Sequence, residues 1–488
     1  MNKLNLVVSV FAISIVWLFG STVRAQTYTV LYSPAKNIGG VALDVQGADG
    51  NIYGGTYAGG TYGDGTIFTV NSSGQTNVLH SFDSADGMSP SSLILGSDEN
   101  FYGTAAGGGG TDLCTGGFGC GTVFRVTPDG NFTTLQMFDE QDGGEPLAQV
   151  EGFDGNLYGV TDEGGTSTQC VSSGCGTIYS ITAGGEFTTL VNFDNQDGFQ
   201  PSDIIQGADG NFYGTTMEGG AYGYGEVFQM TPDGALTTIY SFCAQSGCPD
   251  GQTPGALMQD TDGNFYGVAS FGGHANQRTC SGGCGTFFML TPWGTFTMLH
   301  DFCLQRFCAD GADPIGIIHG SDGNFYGVTE LGGTNESCNS SMNGCGTIFR
   351  LTSDGALTTL YSFCAQADCA DGYSPETAIL QDTNGTFYGS TESGGQYHRG
   401  VVYSVSVGLG PFVEANPAGA AVGAKIGILG TDLTGATAVT FNGIAAEFKV
   451  VSPTLIGAKV PSGATSGTVQ VQLPSGTLSS NVPFVVLN

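Results

Sequence analysis

The chain has 488 residues, of which 43 are acidic and 11 are Lys or Arg, giving a net charge of −32 at pH 7. This charge disfavours nucleic acid and anionic membrane surfaces as partners and leaves cations, neutral polymers and basic proteins. The 83 glycines lack the three-residue period of collagen and therefore indicate turns.

The N-terminus has the layout of a secretory signal peptide. Lys3 precedes an apolar run from Leu4 to Gly20, and small residues follow at Val23 and Ala25. This order predicts a signal peptide over residues 1–25. An uncleaved membrane anchor is the alternative, although the run is near the short limit for spanning a bilayer. We expect a secreted protein, extracellular or at the cell surface, with the periplasm as an alternative location. We expect no membrane insertion after cleavage.

One short motif, an acidic-Gly turn followed by an apolar-Tyr-Gly triplet, recurs seven times, with its tyrosine at Tyr53, Tyr102, Tyr158, Tyr213, Tyr266, Tyr326 and Tyr388. Each full copy has four short runs rich in β-branched and aromatic residues, separated by Gly, Asp and Pro. Four antiparallel strands joined in this way form one blade of a β-propeller. The sequence therefore predicts an all-β fold with a seven-bladed β-propeller over residues 26–407.

The two ends of the repeat region complement each other. The seventh copy lacks its fourth run, and Tyr28 to Ser33 (YTVLYS) matches the fourth run of the sixth copy, Leu357 to Ser362 (LTTLYS). We therefore predict that the N-terminal strand pairs beside Val401 to Val405 and closes the ring, which removes two exposed sheet edges.

The variable connections are expected to share one face of the disc. The Asp-Gly turns would lie on the opposite face, if the first strand of each copy is innermost. Loops of variable length on a rigid scaffold are where binding usually resides, so the loop-rich face is the predicted binding face.

All 14 cysteines fall into seven local pairs. In an exported chain this pattern predicts loop disulfides. Zinc is the competing interpretation, but the spacings do not match CxxC pairs and histidine is scarce. The pairs are Cys114/Cys120, Cys170/Cys175, Cys243/Cys248, Cys280/Cys284, Cys303/Cys308, Cys338/Cys345 and Cys364/Cys369.

The repeats carry the segments DGNFYG (residues 322–327), GTIFRLT (346–352) and LTTLYSF (357–363). In these features the chain resembles the GloVer repeat of the choice-of-anchor tandem repeat proteins, which are exported or surface proteins of bacteria. The resemblance covers about residues 26–407. It implies export from the cell and a repeat-based fold, but no activity.

The tail, residues 410–488, contains short β runs separated by turns, which predicts a small immunoglobulin-like β-sandwich. It resembles an IPT/TIG domain through GTDL (residues 430–433), VTFNG (439–443) and Val460-Pro461. The resemblance implies a spacer or an adhesive module.

No catalytic residue is predicted. The five histidines mostly occupy unrelated positions in their copies, and the patterns HExxH, GxSxG and the P-loop are absent from the sequence.

Two sets of residues are candidates for ligand binding. The links between copies share an acid before glycine, at Asp86, Asp142, Asp197, Asp250, Asp310 and Asp371. Six such carboxylates would either cap their own turns or form a ring that collects Ca²⁺ or a cationic ligand. Tyr62, Tyr222 and Tyr397 share one position in three short loops, where they would either stack on sugar rings or pack on neighbouring blades.

The leading hypothesis is an exported, non-enzymatic binding or adhesion protein that holds a glycan or a protein on the loop-rich face. Two alternatives stay open. One is a propeller-type lyase or another polysaccharide-active enzyme, and the other is a structural component of the cell envelope.

Overall fold

The computed structural model describes residues 26–35, 38–110, 114, 117–170, 174–273, 280, 282–335, 338 and 344–487. The predicted signal peptide, residues 1–25, lies outside this part of the chain.

The repeat region forms seven four-stranded antiparallel sheets, each of which is one blade. Blade 1 consists of β2 (Val41–Gln46), β3 (Ile52–Thr56), β4 (Thr66–Val70) and β5 (Thr76–Ser81), and blade 2 of β6 (Met88–Leu95), β7 (Phe101–Gly107), β8 (Thr122–Val126) and β9 (Phe132–Met137). Blade 3 consists of β10 (Gly144–Glu151), β11 (Leu157–Glu163), β12 (Thr177–Ile181) and β13 (Phe187–Asn192), and blade 4 of β14 (Phe199–Gln206), β15 (Phe212–Glu218), β16 (Glu226–Met230) and β17 (Leu236–Ser241). Blades 5 and 6 consist of β18 (Gln252–Gln259), β19 (Phe265–Phe271), β20 (Thr286–Leu290) and β21 (Phe296–Asp301), and of β22 (Ala312–His319), β23 (Phe325–Leu331), β24 (Thr347–Leu351) and β25 (Leu357–Ser362).

Blade 7 is completed by the N-terminal strand. It contains β26 (Leu380–Gln381), β27 (Phe387–Thr391) and β28 (Val401–Ser406), and β1 (Thr27–Tyr32) pairs with β28 from the register Thr27–Ser406 to Tyr32–Val402. The predicted seven-bladed propeller and its closure by the first strand are both confirmed. Closure leaves no open end in the ring.

The recurring motif is the contact between successive blades. Tyr53 of blade 1 stacks on Phe101 of blade 2 with ring centroids 3.9 Å apart, and its hydroxyl donates to Asp49 of its own turn. The glycine of the triplet is needed because an aromatic ring of the next strand covers it; a Cβ at Gly103 would stand 2.3 Å from Cζ of Phe124. The motif therefore serves packing.

The first strands are innermost, because those of successive blades contact one another. We call the face that carries the Asp-Gly turns the turn face. We call the opposite face the loop face. It carries the blade links and the connections between second and third strands.

The C-terminal domain is a β-sandwich around Ile428, Phe441, Ile456, Val469 and Phe484. One sheet has the order β29 (Glu414–Asn416), β31 (Lys425–Leu429), β35 (Leu455–Lys459), β34 (Phe448–Val450), and the other has β33 (Ile444–Ala445), β32 (Ala438–Phe441), β36 (Val469–Leu473), β37 (Gly476–Ser479). β30 (Gly419–Ala421) and β38 (Val485–Leu487) form a separate parallel pair. Short 3₁₀ turns occupy Arg306–Cys308, Ala367–Cys369 and Leu433–Gly435.

The sandwich docks on the turn face of the propeller, a contact that sequence reasoning missed. Thr454 Oγ1 donates to the Ala48 carbonyl in blade 1, and Asn416 Nδ2 donates to the Leu95 and Gly96 carbonyls in blade 2. Further contacts reach blades 3, 6 and 7 through Phe153, His319 and Thr383. The domain therefore lies across five of the seven blades.

Blade 3 buries polar atoms where most blades are apolar. Gln149 pairs with Gly159, where the equivalent partners in other blades are Leu93, Ile204, Leu257 and Ile317. The hydroxyl of Tyr179 lies against the same glycine. Among the described residues, neither the Gln149 amide nor this hydroxyl has a hydrogen-bond partner.

Replacing Gln149 with leucine is therefore expected to stabilise the protein. The change removes a buried unpaired amide and restores the apolar side chain of the other blades, which is worth about 1–2 kcal/mol. Urea unfolding followed by circular dichroism would measure the gain. Tyr179→Phe is the companion variant, because most other blades have phenylalanine there. A loss of stability in Gln149→Leu would contradict the prediction.

Candidate ligand-binding face

Three tyrosines project from the loop face. Tyr62, Tyr222 and Tyr397 are 64%, 51% and 46% exposed. They occupy the short connections of blades 1, 4 and 7, so Tyr62 and Tyr397 are on neighbouring blades. Tyr224 is also exposed, beside Tyr222. These rings are open to solvent rather than packed under neighbouring blades.

Carboxylates gather where the channel opens on the loop face. Glu376 begins the first run of blade 7, and Glu330 and Glu392 stand at the ends of the second strands of blades 6 and 7. Burial, the carboxylates of Glu392 and Glu330, and a hydrogen bond to Glu392 raise the pKa of Glu376 to about 7. Asp313 lies close to Glu330, and burial followed by this neighbour raises its pKa to about 7. We call these four residues the mouth carboxylates.

A second acidic group lies on blade 3. One carboxylate oxygen from each of Glu145, Asp162 and Glu163 lies within 4.8 Å of the others. Gln200 Nε2 donates to Asp162 at 3.3 Å. Burial, followed by the neighbouring carboxylate of Glu163, raises the pKa of Asp162 to about 6. Opposite sides of the loop face therefore present acceptors for hydrogen bonds or for a cation.

The other end of the channel is covered by the C-terminal domain. A cavity of about 260 Å³ lies between the propeller and the C-terminal domain. It is bordered by Asp44, Leu93 and Val150 of three first strands and by Glu414 and Asn416 of the sandwich. Burial raises the pKa of Asp44 to about 7. The loop face is therefore the side of the channel left uncovered by the sandwich.

The six link aspartates are engaged within their own links. Asp371 is fully buried, and its carboxylate accepts hydrogen bonds from the amides of Ala365 and Gln366 and from the hydroxyl of Tyr361. The carboxylates of the other five also accept from a backbone amide of their own link: Asp86, Asp142, Asp197, Asp250 and Asp310. These contacts support the turn-capping interpretation rather than a ring of free calcium ligands.

The fourth strand supplies a hydrogen-bonding side chain to four of these aspartates, and at the fifth link His300 Nε2 lies 3.9 Å from Asp310. The partners are His80, Gln136, Tyr240 and Tyr361, which contact Asp86, Asp142, Asp250 and Asp371. At the third link the corresponding residue is Val191, which has no polar side chain. Burial raises the pKa of Asp142 to about 6, although hydrogen bonds oppose this shift.

The cysteines are joined in the seven predicted local pairs, and the predicted disulfides are confirmed. The sulfur atoms of two neighbouring pairs, Cys280–Cys284 and Cys303–Cys308, lie within 4.8 Å of one another, but as disulfides they offer no thiolate to zinc. The remaining bonds join Cys114–Cys120, Cys170–Cys175, Cys243–Cys248, Cys338–Cys345 and Cys364–Cys369.

The disulfides lie where the sequence predicts them, in the connections between second and third strands and in the blade links, and the structure adds how deeply they are buried. In the structure the second cysteine of every pair is buried beneath its loop. These buried cysteines are Cys120, Cys175, Cys248, Cys284, Cys308, Cys345 and Cys369. They belong to the scaffold under the loop face and not to the surface that a ligand would reach.

Backbone hydrogen bonds across the blades explain why the second cysteine is buried. The Cys120 carbonyl accepts from the amide of Glu145, which begins the next blade, and the Cys248 carbonyl accepts from the amide of Gly273 at 2.8 Å. The carbonyls of Cys175 and Cys345 accept in the same way from the amides of Gln200 and Ser374. The disulfides therefore tie their loops to fixed points between blades.

Disulfides persist in oxidising compartments, so the protein is extracellular or periplasmic. Over the described ranges, no helix has the length and apolarity that a bilayer crossing requires.

The mouth carboxylates were also missed from the sequence. One repeat position, three residues after the glycine of the Tyr-Gly pair, is acidic in three copies, where it is occupied by Asp162, Glu330 and Glu392. The other copies have Tyr57, Ala106, Met217 and Ser270 there. A position that is acidic in three of seven copies was the available signal.

The fold and this face define a disulfide-bonded seven-bladed propeller with an acidic mouth and a docked immunoglobulin-like domain. The chain belongs to the Gloeobacter/Verrucomicrobia repeat family, whose model matches residues 16–171 and 165–403. An IPT/TIG domain model matches residues 413–486. Both resemblances drawn from the sequence are confirmed.

Solved structures with similar architecture have little sequence identity to the chain. The extracellular domain of BT4673 from B. thetaiotaomicron, a proposed one-component system, is 9% identical with a TM-score of 0.49, and the match covers 95% of this chain and 57% of that one. The periplasmic gluconolactonase PpgL of Pseudomonas aeruginosa is 13% identical with a TM-score of 0.46, over 76% and 99% of the two chains. No sequence among the curated proteins matches.

Proposed function

We propose that this protein is an exported, non-enzymatic binding protein that holds a glycan on the loop face of its propeller. The observation that carries the proposal is the set of three exposed tyrosines, Tyr62, Tyr222 and Tyr397, around an acidic channel mouth. Aromatic rings stack on the apolar faces of sugars, and carboxylates accept hydrogen bonds from sugar hydroxyls. The net charge of −32 favours neutral or cationic glycans over acidic ones.

A glycan array probed with the protein, with and without Ca²⁺, tests this proposal. On the best ligand, Tyr62→Ala and Tyr397→Ala are each expected to weaken binding by about tenfold, since one aromatic contact is worth about 1–1.5 kcal/mol. Trp293→Ala is the matched control, because Trp293 is 79% exposed in an Asp-Gly-type turn on the opposite face. Blank arrays, or tyrosine variants that bind like the parent, would overturn the proposal. Capture of a protein ligand through the same tyrosines would identify the other class of partner.

One observation favours a second candidate function, cleavage of a bound polysaccharide. The hydrogen-bonded pair Glu376 and Glu392 includes a carboxyl with a pKa of about 7, which suits a general acid at neutral pH. Incubation of the array hits with the protein, followed by product analysis, tests it. Cleavage that is lost in Glu376→Gln would support an enzyme. Intact polysaccharide would eliminate this candidate.

A further inference from the structure

The six seams that follow blades 1 to 6 are each filled by a phenylalanine at the end of the fourth strand. These phenylalanines have 0% exposure. Each ring packs on the aromatic residue of the third strand in the next blade, with centroids 5.3–5.5 Å apart. They are Phe82, Phe138, Phe193, Phe242, Phe302 and Phe363.

The seventh seam, between blade 7 and blade 1, lacks this ring. In β1, Tyr32 pairs with Val402 as Tyr361 pairs with Ile348 in blade 6. Two residues further along, the phenylalanine position is therefore occupied by Pro34. A second large residue is missing at the same seam, because β5 begins with Thr76 where the other complete blades begin their fourth strand with Phe or Leu.

These two differences leave a cavity of about 120 Å³. Its apolar walls are Tyr32, Ile38, Val41, Phe68 and Val78, and Thr56, Thr66 and Thr76 border it. Phe68, the third-strand aromatic of this seam, is 5% exposed, whereas its six counterparts are 0% exposed. The cavity stands where the other seams hold a phenyl ring.

We propose that this cavity is a binding site for small monocyclic aromatic molecules. The six sister seams show the shape and orientation of the occupant, a six-membered ring packed edge to face on the third-strand aromatic. An enclosed apolar cavity of about 150 Å³ in another protein binds one benzene. The present cavity, of about 120 Å³, is of similar size and opens to solvent beside Val78, which is 56% exposed, so one edge of a bound ring faces solvent. The site is separate from the proposed glycan-binding tyrosines and does not depend on that function.

Benzene, with the full-length protein, is the test probe. We expect benzene to raise the Tm by about 1–2 °C near saturation and to appear as one molecule per chain in soaked crystals beside Phe68. Pro34→Phe supplies the ring that the six sister seams hold and is expected to abolish the shift. Pro34→Leu is the milder variant if the larger side chain strains the fold.

Phe138→Ala is the positive control, because it empties the equivalent place at another seam and is expected to add a second benzene molecule. Phe193→Ala replaces it if that variant does not fold. Binding by the control variant but not by the parent chain would overturn the proposal. An unchanged benzene shift in both Pro34 variants would also overturn it, because binding would then lie elsewhere.

Discussion

Replacement of Tyr28 with alanine is expected to lower the free energy of unfolding by about 3–4 kcal/mol. Tyr28 stacks on Tyr361 of blade 6 with centroids 4.1 Å apart and on Tyr403 of blade 7 at 5.2 Å. Its hydroxyl donates to the Asp371 carbonyl at 2.6 Å. The side chain therefore fixes the closing strand to two blades.

Urea unfolding followed by circular dichroism measures this loss. Tyr28→Phe removes only the hydroxyl and is expected to cost about 1 kcal/mol. Thr29→Ala, at an exposed position of the same strand, is the matched control and is expected to change stability by less than about 0.5 kcal/mol. If Tyr28→Ala were as stable as Thr29→Ala, the closing strand would contribute little to the stability of the ring.

The architecture could be predicted because each repeat contains the local sequence signals for its own strands and turns. Asp-Gly turns, alternating apolar residues and the Tyr-Gly triplet recur in register, and the surplus strand at Tyr28 complements the deficit before Gly408. Local cysteine spacing predicted the disulfides for the same reason. Both kinds of signal are short-range. The burial of Cys120 and its counterparts was not predictable, because it depends on contacts with the next blade.

The docked domain and the channel mouth could not be predicted, since both depend on long-range geometry. Thr454 and Asn416 donate hydrogen bonds to backbone carbonyls of the turn face. Every residue has a backbone carbonyl, so no particular side chain in the propeller sequence marks the docking surface. Glu330 and Glu376 become neighbours only when the ring brings successive blades together. The link aspartates show that a regular sequence pattern can also be ambiguous. Their recurrence fits both a cation site and turn capping, and the contacts in the structure support turn capping.

Replacement of Glu226 with threonine is expected to stabilise the protein by about 2–3 kcal/mol at pH 8. Glu226 is fully buried at the start of β16, where five other blades have threonine: Thr66, Thr122, Thr177, Thr286 and Thr347. The hydroxyls of Thr238 and Ser241 donate to its carboxylate at 2.9 and 3.3 Å. These two bonds do not offset the cost of burying the charge, so burial raises the pKa of Glu226 to about 7.

The pH dependence follows from the direction of this shift. The folded protein holds the proton of Glu226 more tightly than the unfolded chain, whose glutamate has its ordinary pKa of 4.5. The resulting stabilisation is complete below pH 4.5 and is lost as the pH rises through 7, which leaves a penalty of about 3 kcal/mol at pH 8.

The advantage of Glu226→Thr is therefore expected to shrink by about 2 kcal/mol between pH 8 and pH 5, as measured by urea unfolding at both pH values. The exposed Glu186→Thr is the control and is expected to stay within about 0.5 kcal/mol of the parent at both. An advantage that did not change with pH would mean that packing, rather than the buried charge, separates the two side chains. The five threonines would then be the better fit to the blade for reasons of shape alone.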